Sequence, residues 1–194
     1  MKPKPAIVVY FVISLILSLP LLFFFFFFCF KTNTYTPPDE SPISDLRIRP
    51  RDTPLTETYI QRQEVEALRR VGVSDSVGMD LVPYPPLVVK GDFHHQPFDD
   101  GTFDFEFSNV FDHALFPDKF VGEIERTLKP GGICVLHVAL SRRADKYSAN
   151  DLFSVKPLVN LFTNSKVVHV RKVDGFGLDT EVVFRKTAKK KIKR

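Results

Sequence analysis

Four strings decide the fold of this chain: Gly78-Met79-Asp80, Gly91-Asp92-Phe93, Phe103-Asp104-Phe105-Glu106-Phe107-Ser108-Asn109 and Lys129-Pro130-Gly131-Gly132. The first string ends a short apolar run, as a strand would end at a polar residue. In the third, phenylalanine alternates with polar residues at the period of a β-strand. The fourth ends a helix predicted over 118–128 and turns into a buried strand over 133–140. Strands that alternate with helices in this way predict an α/β fold.

Further elements are predicted on both sides of these strings. Upstream, Thr53 and Pro54 are a good helix start, and Gly72 can end that helix before a strand over 73–81. Downstream we expect a helix within 150–162, interrupted or started near Pro157. A closing antiparallel hairpin of strands 166–173 and 180–186 follows. The short run 87–89 is ambiguous, because six residues are fewer than a parallel crossover normally needs. It is either a short edge strand or not a parallel strand.

These strings, in this order, resemble the class I (Rossmann-like) S-adenosylmethionine-dependent methyltransferases. The resemblance covers roughly residues 64–186 and is closest to the methyltransferase type 11-like, plant-type membrane-anchored proteins. It implies S-adenosylmethionine as cofactor and methyl transfer as the reaction. It also implies cofactor contacts at Asp80 for the ribose diol and at Asp92 for the adenine amino group. Phe93 would lie beside the adenine ring, and Asn109 would lie near the sulfonium.

Asp112 and His113 follow the same strand as Asn109, at the turn that in the family faces the methyl acceptor. Either side chain is a candidate catalytic base for an acceptor that must lose a proton. Each of these residues also has a structural interpretation. Asp80 can initiate a turn before the prolines, Asp112 can cap a turn, and His113 can be a partly buried structural histidine. His94 and His95 are interpreted as loop residues, and no metal site is predicted.

The first half of the family's cofactor site is missing from the sequence. No glycine occurs in residues 1–71, so no glycine-rich turn precedes the first helix of the domain. No strand run precedes it either, although that strand is normally central in the sheet. We therefore predict a Rossmann-like methyltransferase sheet that is incomplete, without its first strand and glycine-rich loop. The abrupt change near Gln63 and Glu64 suggests an internal deletion.

The N-terminal region has a different character. Residues 6–30 carry no charge and include six consecutive phenylalanines, Phe23 to Phe28. As a helix this run would span roughly 37 Å, which is enough to cross a bilayer core of about 30 Å. A single uncleaved transmembrane helix is therefore predicted, and a cleaved secretory signal is the rival interpretation. Basic residues flank the run on both sides and leave its orientation open: Lys2 and Lys4 before it, and Lys31, Arg47, Arg49 and Arg51 after it.

The predicted organisation is a short tail over 1–5, a transmembrane anchor over 6–30, a proline-rich linker over 31–53, a methyltransferase-like domain over 54–186 and a basic tail over 187–194. The ten residues 185–194 hold seven lysines and arginines; removing these seven charges from the net charge of +4 leaves −3. The basic balance is therefore a property of the tail, and no nucleic-acid partner is predicted. A solvated tail is the simpler interpretation, and contact with anionic lipid is the alternative.

Two functions compete. The first is a membrane-anchored methyltransferase acting on a small or lipid-associated acceptor. The second is a catalytically inactive relative that serves as a membrane-tethered interaction or regulatory module. The family strings favour the first, and the glycine-free first half favours the second.

Overall fold

The computed structural model describes residues 27–30, 57–70, 72–140, 148–175 and 177–188. They form an α/β structure of the Rossmann-like type around a mixed seven-stranded sheet. The strands are β1 (Phe27–Phe30), β2 (Val77–Asp80), β3 (Val88–Lys90), β4 (Phe103–Ser108), β5 (Leu128–Val138), β6 (Ser165–Gly175) and β7 (Leu178–Lys186). The helices are α1 (Glu57–Arg70), α2 (Pro117–Thr127) and α3 (Lys156–Leu161), with a 3-10 turn at Phe111–His113. The strand order is β3-β2-β1-β4-β5-β7-β6.

The closing half of the sheet follows the sequence prediction. β4 runs parallel to β5, with Phe107 opposite Val135, and β7 lies antiparallel between β5 and β6. The helix predicted over 118–128 is α2, which begins with Pro117 at its first turn and ends at Thr127. Gly131 then takes a φ of 84°, and a Cβ on Gly132 would lie 2.9 Å from the carbonyl oxygen of Lys129. Both glycines are therefore needed where the chain turns into the straight part of β5.

The centre of the sheet corrects the prediction of a missing strand. β1 occupies the position between β2 and β4, where the absent strand was expected. It runs antiparallel to both neighbours, with Phe27 opposite Ser108 and Phe30 opposite Phe105. The sheet is thus filled, but by a strand of reversed direction that comes from the apolar run before the linker.

β1 also corrects the predicted end of the transmembrane helix. Residues 27–30 are extended backbone and not helix, so Cys29 pairs with Glu106 and Val77 in the sheet. The remainder of the predicted span, 6–26, lies outside the described residues, as do the linker 31–53 and most of the basic tail. In the parts of the chain that the structure describes, no helix has the length and apolar character to cross a bilayer.

The ambiguous run 87–89 is resolved as β3, a short parallel strand at the sheet edge. Gly78 is opposite Val88 and Asp80 is opposite Lys90. The short connection is possible because it folds back on itself. The Tyr84 N–H donates to the Val88 carbonyl at 2.8 Å and the Val88 N–H to the Tyr84 carbonyl at 2.9 Å. A compact turn replaces the usual crossover helix.

The remaining helices differ from prediction mainly in their bounds. α1 runs without a break across Gln63 and Glu64, and its predicted start at Thr53 lies outside the described residues. Gly72, at a φ of 95°, follows its end as expected. α3 is shorter than the predicted 150–162 and begins at Lys156, with Pro157 in its first turn. The core lies between the sheet and α2 with α3, around Phe120, Val121, Ile124, Leu136, Leu158 and Phe184.

Candidate functional site

The predicted site residues lie on loops that leave the carboxyl ends of adjacent strands. Asp80 ends β2, Asp92 follows β3 by two residues, and Asn109 follows β4 directly. The Gly91 N–H donates to the Asp80 carbonyl at 2.9 Å, which fixes the β3 loop beside the end of β2. In open α/β sheets this edge is where ligands bind. The structure therefore brings the predicted ribose and adenine residues to one edge of the sheet.

Asp80 makes the turn contact that its structural interpretation predicts and lies where the ribose-binding prediction requires a carboxylate. Its position at the carboxyl end of β2 is the one predicted for ribose binding. Its carboxylate Oδ1 also accepts the Val82 N–H at 2.8 Å, which is the turn contact of the structural interpretation. This hydrogen bond orients the carboxylate at the sheet edge.

Asp92 belongs to a short chain of hydrogen bonds that the sequence did not predict. Its Oδ1 accepts the backbone N–H of His94 at 2.8 Å and lies 2.9 Å from His94 Nδ1. On the other side of the ring, His94 Nε2 accepts the Phe116 N–H at 3.2 Å. Because a neutral imidazole offers one donor and one acceptor, this arrangement places the proton on Nδ1. His94 is thus a bridge from the predicted adenine residue to the entrance of α2, and not a simple loop residue.

Phe93 is held by aromatic packing. Its ring meets that of Phe120 edge to face, with centroids 5.5 Å apart, and lies 4.5 Å from the His94 ring. The backbone before it is equally constrained, since a Cβ on Gly91 would lie 2.6 Å from the sulfur of Met79 and 2.8 Å from Pro97 Cδ. The glycine is required for close approach of the loop to the core. Phe93 thereby has a defined position beside Asp92.

Asp112 and His113 lie in the 3-10 turn after β4. Asp112 is buried, and its carboxylate Oδ2 is 3.3 Å from Ser148 Oγ and 3.4 Å from His113 Nε2. The Asp112 carbonyl accepts the N–H groups of Ala149 and Asn150, at 2.7 and 3.0 Å. Asn109 is also buried. The three residues follow one another after β4, and residues 148–150 of the β5–α3 loop contact Asp112.

A clamp on α2 holds the loop that carries Phe93 and His94. The Arg126 guanidinium donates to the carbonyls of Gln96 and Phe98 at 3.0 and 2.6 Å and also contacts Glu123. Glu123 Oε2 in turn accepts the Gln96 N–H at 2.7 Å. The string Glu125-Arg126-Thr127-Leu128 therefore holds the upstream loop in place as well as ending a helix. The string itself can be recognised in the sequence, but the loop residues that Arg126 contacts lie about 30 positions upstream.

Glu106 is a buried acid in the middle of β4. Its Oε1 accepts from Thr127 Oγ1 at 2.5 Å, and Oε2 lies 3.4 Å from Gln96 Nε2. Burial raises the pKa of this carboxyl from 4.5 to about 8, against the lowering effect of the Thr127 and Gln96 hydrogen bonds. The carboxyl is therefore protonated at neutral pH and can donate a hydrogen bond. Gln96 Oε1 is buried and has no partner among the described residues, and it becomes the acceptor if the amide turns over.

The described residues fit one end of S-adenosylmethionine better than the other. Asp80, Asp92 and Phe93 offer a carboxylate for a ribose diol, a carboxylate for an exocyclic amine and a ring beside the base. The methionine end needs backbone amides at a glycine turn after the central strand. Here the central strand is reversed, so its first residue, Phe27, lies at that edge beside Ser108. The described part of the chain supplies no glycine turn there.

Part of this chain is similar in sequence to known methyltransferases. The family model described as "Methyltransferase domain" matches residues 60–136. Sterol 24-C-methyltransferase erg6 of Schizosaccharomyces pombe is 50% identical over 48 residues, which are 24% of this chain and 13% of that enzyme. The chain thus spans only a small part of its curated relative.

One solved structure shows the same fold at low sequence identity, and a second superposes with a lower score. A chain from the complex between the Haloferax volcanii Trm112 methyltransferase activator and its methyltransferase superposes with a TM-score of 0.53 at 19% identity, over 65% of this chain and 78% of that one. The Burkholderia thailandensis 1,6-didemethyltoxoflavin-N1-methyltransferase, solved with S-adenosylhomocysteine, has a TM-score of 0.46 at 18% identity, over 57% and 60%. The matched segment and the strand order lead to one conclusion: residues 60–136 match a methyltransferase domain, within a sheet that has the strand order of the class I methyltransferase fold.

Proposed function

We propose that this protein is a membrane-anchored methyltransferase that binds S-adenosylmethionine and methylates a small or lipid-associated acceptor. The observation that carries the proposal is the convergence of Asp80, Asp92 and Asn109 at the carboxyl ends of β2, β3 and β4. The hydrogen bond from Gly91 to Asp80 ties the first two loops together.

In this proposal each residue makes a separate contact with the cofactor. Asp80 accepts hydrogen bonds from the ribose hydroxyls, Asp92 accepts a hydrogen bond from the adenine amino group, and Phe93 covers the base. Asn109 lies towards the methionine side. When bound, S-adenosylmethionine supplies both the methyl group and the positive charge that makes it reactive, so the protein mainly has to align the acceptor.

Asp112 and His113 are the proposed base for an acceptor that must lose a proton. Asp112 Oδ2 lies 3.4 Å from His113 Nε2, so the carboxylate can orient the imidazole. The burial of Asp112 favours this indirect role, with His113 as the group that meets the acceptor. A lipid-associated acceptor is consistent with the name of the yeast sterol methyltransferase, although the likeness covers 13% of that enzyme.

The reversed central strand favours the second candidate function, a tethered module without catalysis. Without a glycine turn after β1, the methionine carboxylate would need a different partner. In that case the adenosine contacts would be remnants of the family site, and the domain would act by binding other proteins or by regulating a complete relative.

Cofactor binding separates the two candidates. S-adenosylhomocysteine is titrated calorimetrically into the full chain in detergent micelles. If the protein is a methyltransferase, the heat of S-adenosylhomocysteine binding should saturate. Asp80→Ala should weaken binding about 10-fold or more, because it removes hydrogen bonds to an ionised acceptor. Glu66→Ala, on the exposed face of α1, is the control that should leave the affinity unchanged. Absence of heat from a folded protein would exclude the first function and leave the second.

A further inference from the structure

Exposed apolar side chains cluster around the candidate site. Among the described residues, six of the nine large apolar side chains that face solvent lie on loops leaving the carboxyl ends of β2, β4 and β5. One of the six, Tyr84, pairs with Val88 at the start of β3, and the other five lie nearer the strand ends or the following helices. We call these five the apolar rim. They are Leu81 and Val82 after β2, at 67% and 61% exposed, Leu115 and Phe116 before α2, at 71% and 51%, and Phe153 before α3, at 86%. Exposed apolar side chains concentrated on one edge of a domain mark a binding surface.

The rim is held in place by the site itself. Asn150 Nδ2 donates to the carbonyls of Phe111 and Ala114, so the loop that carries Phe153 is tied to the loop that carries Leu115. The Phe116 N–H is fixed by His94 at 3.2 Å. These large apolar groups are therefore presented to solvent by an ordered backbone.

One rim residue also has a cationic neighbour. Lys119 Nζ lies 4.7 Å from the centre of the Phe116 ring, where its charge meets the ring's negative face. An aromatic ring with a lysine over its face is a pair that suits a membrane–water boundary, where the apolar part is buried and the charge stays in water.

The direction of β1 indicates what the apolar rim contacts. Because β1 is antiparallel, its first residue lies at the carboxyl edge, with Phe27 beside Ser108. The uncharged run 6–26 directly precedes Phe27 in the sequence. The most apolar segment of the chain therefore joins the domain at the same edge as the apolar rim.

From these observations we propose that the carboxyl edge faces a lipid bilayer, with the apolar rim inserted among the lipid headgroups and upper acyl chains. The inference rests on the membrane association in the proposed function and adds the orientation of the domain. It means that the acceptor enters the site from the lipid phase, as a molecule with an apolar body and a polar group to be methylated.

The chain contains no tryptophan, so a single introduced tryptophan reports its own position. The full chain carrying Leu115→Trp or Phe153→Trp is reconstituted into phosphatidylcholine vesicles whose acyl chains are brominated near the headgroup. The orientation predicts that both tryptophans lose most of their emission relative to vesicles without bromine. Val168→Trp is the control, because Val168 is an exposed apolar residue on β6, three strands away from β4. Its emission should stay unchanged.

The possible failures are distinct. If the protein floats with the vesicles but neither rim tryptophan is quenched, the proposed orientation is wrong and membrane association stands. Equal quenching at Val168 would also overturn it, because the contact would then not be confined to the rim. If the protein does not float with vesicles, both the orientation and the membrane association are wrong. Each result is independent of cofactor binding, which calorimetry measures separately.

Discussion

The two halves of the sheet are held together in different ways. In the closing half, from β4 to β6, side chains of α2 reach across to distant loops, and Glu125 alone accepts from Thr163, Asn164 and Ser165. In the opening half, β1 to β3, the strands have only three or four residues, and β1 joins them in reverse. The residues of the candidate site are divided between the two halves, with Asp80 and Asp92 in the opening half and Asn109 in the closing half.

The largest expected effect comes from removing the aromatic link between the halves. Phe120 is fully buried on α2 and touches both Phe93 and Phe111. Phe120→Ala should lower the free energy of unfolding by about 3–5 kcal/mol, because it leaves a cavity in the core. Urea unfolding of the full chain in micelles, followed by circular dichroism, measures this. Phe153→Ala, at an exposed position, is the control, and equal losses for both would contradict the packing described.

The second prediction compares two glutamates on helices of opposite halves. Glu125→Ala should lower the free energy of unfolding by about 2–3 kcal/mol, since it leaves donors of the α3–β6 turn without an acceptor. Glu66 on α1 makes one exposed ion pair with Arg70 at 2.9 Å. Glu66→Ala should cost less than about 0.5 kcal/mol. A similar loss for both variants in the same urea assay would show that the halves do not differ as proposed.

The third prediction uses the buried acid of β4, next to the reversed strand. Burial raises the pKa of Glu106 to about 8 in the folded state, so the folded protein keeps a proton that the unfolded chain releases. The resulting contribution to stability is complete below pH 4.5, falls as the pH rises and is lost above about 8. Glu106→Gln keeps the hydrogen bonds of the neutral form at every pH. It should be more stable than the parent by at least about 1–2 kcal/mol at pH 8.

The pH series provides the check on that prediction. Urea midpoints of the parent and of Glu106→Gln are compared at pH 5 and at pH 8. The difference should be small at the lower pH and larger at the higher one. A constant difference would mean that the Glu106 carboxyl has the same pKa in the folded and unfolded states.

The smallest expected effect concerns the His94 bridge. His94→Ala removes the acceptor of the Phe116 N–H, and this hydrogen bond contributes about 1 kcal/mol. Hydrogen exchange at the Phe116 amide should then be several-fold faster. His95→Ala, at the exposed neighbouring position, should leave that amide unchanged. Unchanged exchange in His94→Ala would show that His94 does not link the loop that carries Asp92 to α2.

The sequence predicted the closing half well because its signals are local. Alternating phenylalanines, a helix with one apolar face and the Lys-Pro-Gly-Gly turn each specify an element within about ten residues. β1 was not predicted, since an uninterrupted apolar run has no period that distinguishes a strand from a membrane helix. Its assignment depends on a vacant position in a sheet whose other strands come much later in the chain.

The sequence predicted where the candidate site residues lie on the sheet, but not the hydrogen bonds that they make. Asp80, Asp92 and Asn109 follow strands, and strand ends meet at one edge. The His94 bridge could not be inferred, because its partners Asp92 and Phe116 are 24 positions apart. Glu106 also differs from expectation: alternation suggests a polar face for β4, yet both faces of this central strand are covered and the acid is buried.

The reversed central strand has a consequence for synthesis on the ribosome. Cys29 pairs with Glu106, so β1 emerges 77 residues before its partner on β4. At about 5–20 residues per second, this phenylalanine-rich segment waits roughly 4–15 s before its pairing strand exists. A newly made chain therefore needs a chaperone, the translocation machinery or a lipid surface to shield that segment while the rest of the sheet is translated.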